Sequence, residues 1–461
     1  MMMIKSLSAI LLLAVGVTLL VSFRHGLGLF KRLPRSVKLL GVMWWLLAIG
    51  SGVYFTRTGT VHGMGRLDRS AMMQLVFFVI SGLIVLRMLA LTRGGHIVFR
   101  FPVLALCLYS LTGLLSTLYS PAPFISFYKA WVVLIDVLAI AATVPLLRQV
   151  NKPALVFDIA VGSAIVFSVG AFIGVHIRPE AAIRPIHSGG FWGFILDGAF
   201  PYMNGNELGF LSAVVLLVAL SRLFQPEYRG PKFFWVVCGA VGASGMIFAQ
   251  ARTAIVGLFV GVCVLSFGVR RLRIFAITGM VIASMAGLIM LASGSSFTFG
   301  NTAKLYLSKG QADQGLQSLE GRARTWLKVG LPMFEDSPVL GHGFDVGVRF
   351  GGEEFGIENT HMHNSHVQIL ANSGLVGYLP WLAMVLWVFV KFSGRIFGAM
   401  FRRGVKLSSE EYVMYAVLIM LVLRTITGSV MVNHSTTILL LVGMITYYYS
   451  FVASSRSADS A

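Results

Sequence analysis

The chain has 461 residues, of which 56% are hydrophobic and 12% charged, with a mean hydropathy of +0.81 and a formal net charge of +19. Soluble globular domains carry about 25% charged residues, so this composition excludes an ordinary soluble fold and points to a polytopic membrane protein. In a soluble protein such a cationic surplus would indicate nucleic acid. Here the charge is divided among short loops between apolar runs, where it sets topology, and no nucleic-acid partner is expected.

Crossing a bilayer takes about 20 apolar residues as a helix. Runs of that length or close to it occur at Ser6–Phe23, Leu39–Phe55, Ala71–Leu91, Phe101–Tyr119, Phe124–Leu147, Ala154–Val175, Leu208–Leu220, Phe233–Phe248, Ala254–Val269, Ile274–Leu291, Leu375–Val390, Tyr412–Met431 and Thr436–Val452. The predicted fold class is therefore all-α, with about 12 to 13 transmembrane helices. The first run follows a single Lys5, lacks a clear small-residue cleavage site and precedes a basic cluster, so it reads as an uncleaved span. Cys107, Cys238 and Cys263 all lie inside apolar runs and form no disulfide framework.

Basic residues concentrate in alternate loops: Arg24 to Lys38, Arg93 and Arg100, Arg148 and Lys152, Arg222 to Lys232, Arg270 to Arg273, and Lys391 to Lys406. These loops are expected on the cytoplasmic side, which puts the N terminus outside, the C terminus inside and the polar loop 292–373 outside. The expected organisation is a single membrane domain, with helices 1–10 in residues 1–291, the outer loop in 292–373, and helices 11–13 in 374–461. A smaller outer loop, His176 to Pro201, holds Gly189, Gly190 and Gly193 around Phe191 and Trp192, a pattern expected of a re-entrant or interfacial turn.

Within the large loop, apolar spacing predicts a helix from Leu319 through Trp326, Val329 and Met333, limited by Pro332 and Pro338. Ser337 to Phe344 reads as a turn. A second short helix is expected to start with Asn364 or Ser365 as cap and to end at Gly374, with Gly377 and Pro380 entering the next span.

The apolar stretch Phe233–Val269 is too long for one crossing at about 1.5 Å per residue. Its only polar interruption is Gln250-Ala251-Arg252-Thr253, which places Arg252 at the tip of a tight hairpin on the outer side. There it either snorkels to the interface or pairs with an anion. Arg322 and Arg324 precede Trp326; a guanidinium presents a planar fork to phosphate and stays charged, so they are candidate phosphate ligands, or else a solvated basic face pairing with Glu320. His363 lies beside a predicted helix N-terminus, whose dipole favours a neutral imidazole able to accept a proton, whereas a bound diphosphate would oppose that. His361, His363 and His366 match no strong metal-ligand spacing, and no metal or other cofactor is expected. Asp136, Glu207 and Arg424 are further charges at membrane depth; an Asp136–Arg424 ion pair is one arrangement open to them.

His363-Asn364, nine residues, then Gly374-Leu375-Val376-Gly377 is similar to the signature of the O-antigen ligases and related polysaccharide polymerases. Gly321-Arg322 with Trp326, followed by Pro338-Val339-Leu340-Gly341-His342-Gly343-Phe344, resembles the segment leading into that signature, and Ala251-Arg252-Thr253-Ala254 resembles its membrane-edge arginine. The resemblance covers Asn204 to the last span; the first half agrees only in its hydrophobic pattern. It implies a bacterial inner-membrane glycosyltransferase of the GT-C type, independent of metal, with its site facing the periplasm. The implied donor is an undecaprenyl-diphosphate-linked glycan, and the implied acceptor is lipid A-core for a ligase or a growing polysaccharide for an O-antigen or exopolysaccharide polymerase. Carried over, His363 would assist the acceptor hydroxyl while Arg252 and Arg322 bind the diphosphate, with Asn364, Gly374 and Gly377 in support. From another class, a lipid-linked glycan flippase or transporter would also use many spans and buried charge, although such proteins often show repeated halves and no repeat is evident in this chain.

Overall fold

The computed structural model describes residues 2–32, 34–52, 69–186, 192–226, 228, 230–269, 271–274, 277–278, 322–323, 325–348, 362–401 and 407–453. The described chain is overwhelmingly helical: α1 (Met2–Arg32), α2 (Arg35–Gly50), α3 (Arg69–Thr92), α4 (Val103–Leu115), α5 (Pro123–Val150), α6 (Leu155–Ile177), the short α7 (Pro179–Ala182), α8 (Gly205–Phe224), α9 (Lys232–Phe248), α10 (Arg252–Gly268), α11 (Leu331–Asp336), α12 (Ser365–Phe401), α13 (Ser409–Thr427) and α14 (Thr436–Tyr447). Every expected span except Ile274–Leu291, which lies largely outside the described residues, coincides with a helix. Five of these helices are long and apolar enough to cross a membrane. Large apolar side chains such as Leu83, Leu86, Leu91 and Phe401 point outward rather than into a core. A continuous apolar exterior is unfavourable in water and favourable in lipid, so this is a multi-pass membrane protein.

The chain forms two compact units. The first comprises Met1–Leu27, Ala164–Glu320 and Arg395–Met420. In it α8 and α9 run closely enough that a Cβ on Gly242 would lie 2.6 Å from the Ser212 carbonyl oxygen, the small-residue contact that brings helices together where no hydrophobic force acts between them. Arg222 pairs with Glu410 at 3.1 Å, and Arg395 with Glu411. The small loop after α6 folds into two hairpins, Ile183–Pro185 with Phe194–Leu196 and Gly198–Ala199 with Tyr202–Met203. These strands are an addition to the all-α expectation. The glycine-rich turn itself, residues 187–191, lies outside the described residues. Asp197 fastens the hairpin to α8: its carboxylate accepts the Gly205 amide at 2.6 Å and the Arg184 guanidinium at 3.0 Å.

The second unit comprises Gly28–Ser163, Gly321–Gly394 and Leu421–Ala461. Here α5 is a central helix, buried along most of its length and packed by α3, α4 and α14. Two of its buried polar side chains find specific partners, as a low-dielectric interior favours. Thr143 accepts the Trp44 indole at 2.9 Å, and Asp136, fully buried, meets His434 Nδ1 at 2.7 Å. The other imidazole nitrogen of His434 sits 2.9 Å from the Leu47 carbonyl. Asp136 is thus paired with His434, and the Asp136–Arg424 arrangement considered from sequence is not formed. The histidine, in a loop between two apolar helices, had no periodicity to expose it.

Candidate functional site

The Arg322 segment and the His363 segment come together within the second unit. Arg322 is helical, and from Thr325 the chain passes through a π-helical turn, Trp326–Gly330, into α11. Pro332 sits in the first turn of α11, so it does not limit the helix as its position in the sequence leads one to expect. A proline is tolerated where its missing amide has no partner to lose, and the widened turn before it supplies that place. Trp326, Val329 and Met333 pack with Met362, Val367 and Ala371 in a small buried cluster. Trp326 Nε1 donates to the Met362 carbonyl at 2.5 Å, adjacent to His363.

His363 is exposed and has a left-handed backbone, φ +49°. This conformation is uncommon outside glycine and turns the chain abruptly into α12. Asn364, buried, caps that helix: its Oδ1 accepts the amides of His366 at 2.9 Å and Val367 at 3.2 Å. Ser365 then donates to the carbonyls of Gly428 and Val430, and accepts the Val430 amide at 2.9 Å. His366 is engaged at both ring nitrogens, with Tyr378 at 3.0 Å and Thr425 at 3.1 Å. It serves as a packing residue.

Gly374 divides α12 in two. Its φ of +55° and ψ of −161° are non-helical, and a Cβ there would lie 2.3 Å from the Val339 carbonyl oxygen. The amides beyond the break, Leu375 and Val376, donate to the carbonyls of Pro338 and Val339 at 2.9 and 3.1 Å. The carbonyls before it, Ala371 and Asn372, accept the amides of His342 and Gly343 at 3.1 and 2.8 Å. The Pro338–Phe344 turn is therefore a clasp that replaces the hydrogen bonds an interrupted helix loses. Gly377 continues the helix beyond, and a Cβ there would meet the Ser373 side chain at 2.4 Å and the Thr112 hydroxyl at 3.3 Å. Tyr119 donates to Leu340 at 2.7 Å and Ser126 to Phe344 at 3.0 Å, anchoring the clasp to the helices of its own unit.

Arg322 is half-buried and donates through Nη1 to the Thr427 carbonyl at 3.1 Å. Burial draws its guanidinium below the ordinary arginine range by desolvation, though a guanidinium remains charged in a protein. Arg324 and His361 lie outside the described residues. Arg252 belongs to the first unit, where it opens α10 just after the tight turn at Gln250 and Ala251. That turn is held by Gln250, whose amide nitrogen donates to the Phe194 carbonyl at 2.9 Å. The expected tight turn between two helices is observed with Arg252 opening the second of them, and that helix packs against α8. Asn204 and Glu207 form the start of α8, where Asn204 Oδ1 accepts the Glu207 amide at 3.0 Å.

Residues 237–382 match the family model described as O-Antigen ligase. This segment is similar to the O-antigen ligase domain. It includes Arg252, Arg322, His363 and the Gly374 break, and covers less than half of the chain. No curated protein matched the chain. The match supports an O-antigen ligase-like function in general terms.

The Thr427–Val430 segment that receives Arg322 and Ser365 was not part of the site read from sequence. Its legible signal is the pair Thr427-Gly428, which ends an apolar helix one turn after a lone arginine, Arg424.

Proposed function

We propose that this protein is a metal-independent, inverting glycosyltransferase of the inner membrane that transfers a glycan from undecaprenyl diphosphate to an acceptor sugar hydroxyl on the periplasmic face. Ligation to lipid A-core is the preferred reaction. The observation that carries the reading is the packing of the Arg322 helix against the helix that begins beside His363, tied by the Trp326–Met362 hydrogen bond. The segments that bear Arg322 and His363 thereby meet in the second unit, which supports assigning both to one reaction.

In the proposed step the acceptor oxygen attacks the anomeric carbon and loses its proton to His363, while the bond from that carbon to the diphosphate oxygen breaks. The diphosphate leaves with the electron pair, and Arg322 neutralises its growing charge. A diphosphate is already a good leaving group, so one base suffices and no covalent glycosyl-enzyme forms, unlike hydrolases that need paired carboxylates. Arg324 is proposed as a further phosphate ligand by virtue of its guanidinium.

A deletion strain tests the reading. Full-length polymer left on its lipid carrier identifies a ligase, whereas single repeat units left on the carrier identify a polymerase of the same family. Normal glycan assembly in that strain would refute both.

A further inference from the structure

Arg424 lies in the last turn of α13 and is almost wholly buried, 7% exposed. Its Nη1 donates to the Thr427 carbonyl at 3.2 Å, the same oxygen that Arg322 Nη1 reaches at 3.1 Å. One carbonyl thus holds two guanidinium groups side by side, separated by no more than the combined length of two hydrogen bonds. The next residue makes room for the second: a Cβ on Gly428 would lie 2.7 Å from Arg424 Cζ and 2.9 Å from its Nη1. The Gly428 carbonyl accepts the hydroxyl of Ser365, two residues after His363. The Thr427 hydroxyl is buried and finds no hydrogen-bond partner among the described residues.

We infer that Arg424 is a second diphosphate ligand, acting beside Arg322, with the Thr427 hydroxyl as an additional donor. The inference rests on the proposed function and adds to it a residue from outside the matched segment. A diphosphate carries anionic oxygens on two phosphorus atoms, and one planar fork serves two oxygens of one phosphate. A second fork anchored on the same carbonyl supplies the donors for the other phosphate.

The test is binding of inorganic pyrophosphate to the purified full-length protein, followed as a shift in melting temperature and titrated for affinity. Wild type should be stabilised by pyrophosphate, and more strongly than by inorganic phosphate. Arg424→Lys keeps a cation at the end of α13 but loses the fork; it should melt at the wild-type temperature without ligand and bind pyrophosphate at least about tenfold more weakly. Arg424→Gln should lose the response altogether. Arg424→Lys with wild-type affinity overturns the inference, also where Arg424→Gln fails to fold. Equal stabilisation by phosphate and pyrophosphate would identify a single-phosphate occupant, such as a lipid headgroup, and overturn it too. No response in wild type would instead remove the diphosphate reading on which the inference stands.

Discussion

Trp326 and Met362 are joined by a hydrogen bond from indole to carbonyl at 2.5 Å, a direct polar link between the segment that carries Arg322 and the residue that precedes His363. Its position makes it a spacer between the two candidate functional groups. Trp326→Phe keeps most of the ring and removes the donor, leaving a buried carbonyl unsatisfied. This should destabilise the protein by about 1 to 3 kcal/mol. A lower melting temperature together with reduced turnover is the expected result, and unchanged turnover would show that the spacing is set elsewhere.

His363 and Arg322 should separate kinetically. Removing a general base typically lowers rate by about 10²- to 10⁴-fold, so His363→Ala should depress kcat while the donor KM stays close to wild type. Arg322→Ala should instead raise KM and lower kcat together, because the fork contacts the diphosphate before and during departure. Release of undecaprenyl diphosphate by the purified protein measures both. Normal turnover in His363→Ala would end its assignment as base.

Gly374→Ala should be severe. Left-handed backbone strain contributes about 1 to 3 kcal/mol, and the new methyl would overlap the Val339 carbonyl oxygen at 2.3 Å. Gly394→Ala, in the same helix with open space around it, serves as control and should leave the melting temperature unchanged or raise it slightly. Equal melting temperatures for the two variants would contradict the clasp.

Breaking the Asp136–His434 pair should cost about 3 to 5 kcal/mol for either single substitution, because the remaining partner stays buried. Replacing both by leucine should be milder than either alone, and a double-mutant cycle on melting temperature checks the sign.

Asp197→Ala should destabilise more than Arg184→Ala. The ion pair between them is exposed on the arginine side, 57%, and such pairs contribute about 0 to 1 kcal/mol. Asp197 in addition holds the first amide of α8 at 2.6 Å. Comparing the two variants by thermal unfolding separates these contributions.

The helices were legible because burial in lipid imposes long apolar runs, and the Phe233–Val269 stretch announced its own turn through Gln250 and Arg252. The cap at Asn364 and the break at Gly374 were legible for the same local reasons, since side-chain capping and left-handed glycine leave signatures within a few residues. What the sequence hid is contact at long range. Nothing near Asp136 names His434, nearly three hundred residues away, and nothing near Pro338 says that its turn mends a helix broken at Gly374. The strands after α6 escaped notice because each is two or three residues long, too short to establish alternation. Arg424 was visible as a costly charge, whereas the Thr427 carbonyl it shares with Arg322 was not.

The Asn364 cap has one more consequence. A helix beginning often cradles phosphate with its own backbone, as nucleotide-binding loops do. In α12 the amides of His366 and Val367 are already spent on the Asn364 side chain, so any anion arriving there finds its main-chain welcome withdrawn. Recognition must pass to arginine side chains, which evolution can exchange one codon at a time. Such a scaffold can be retuned for a different glycan carrier without rebuilding its helices.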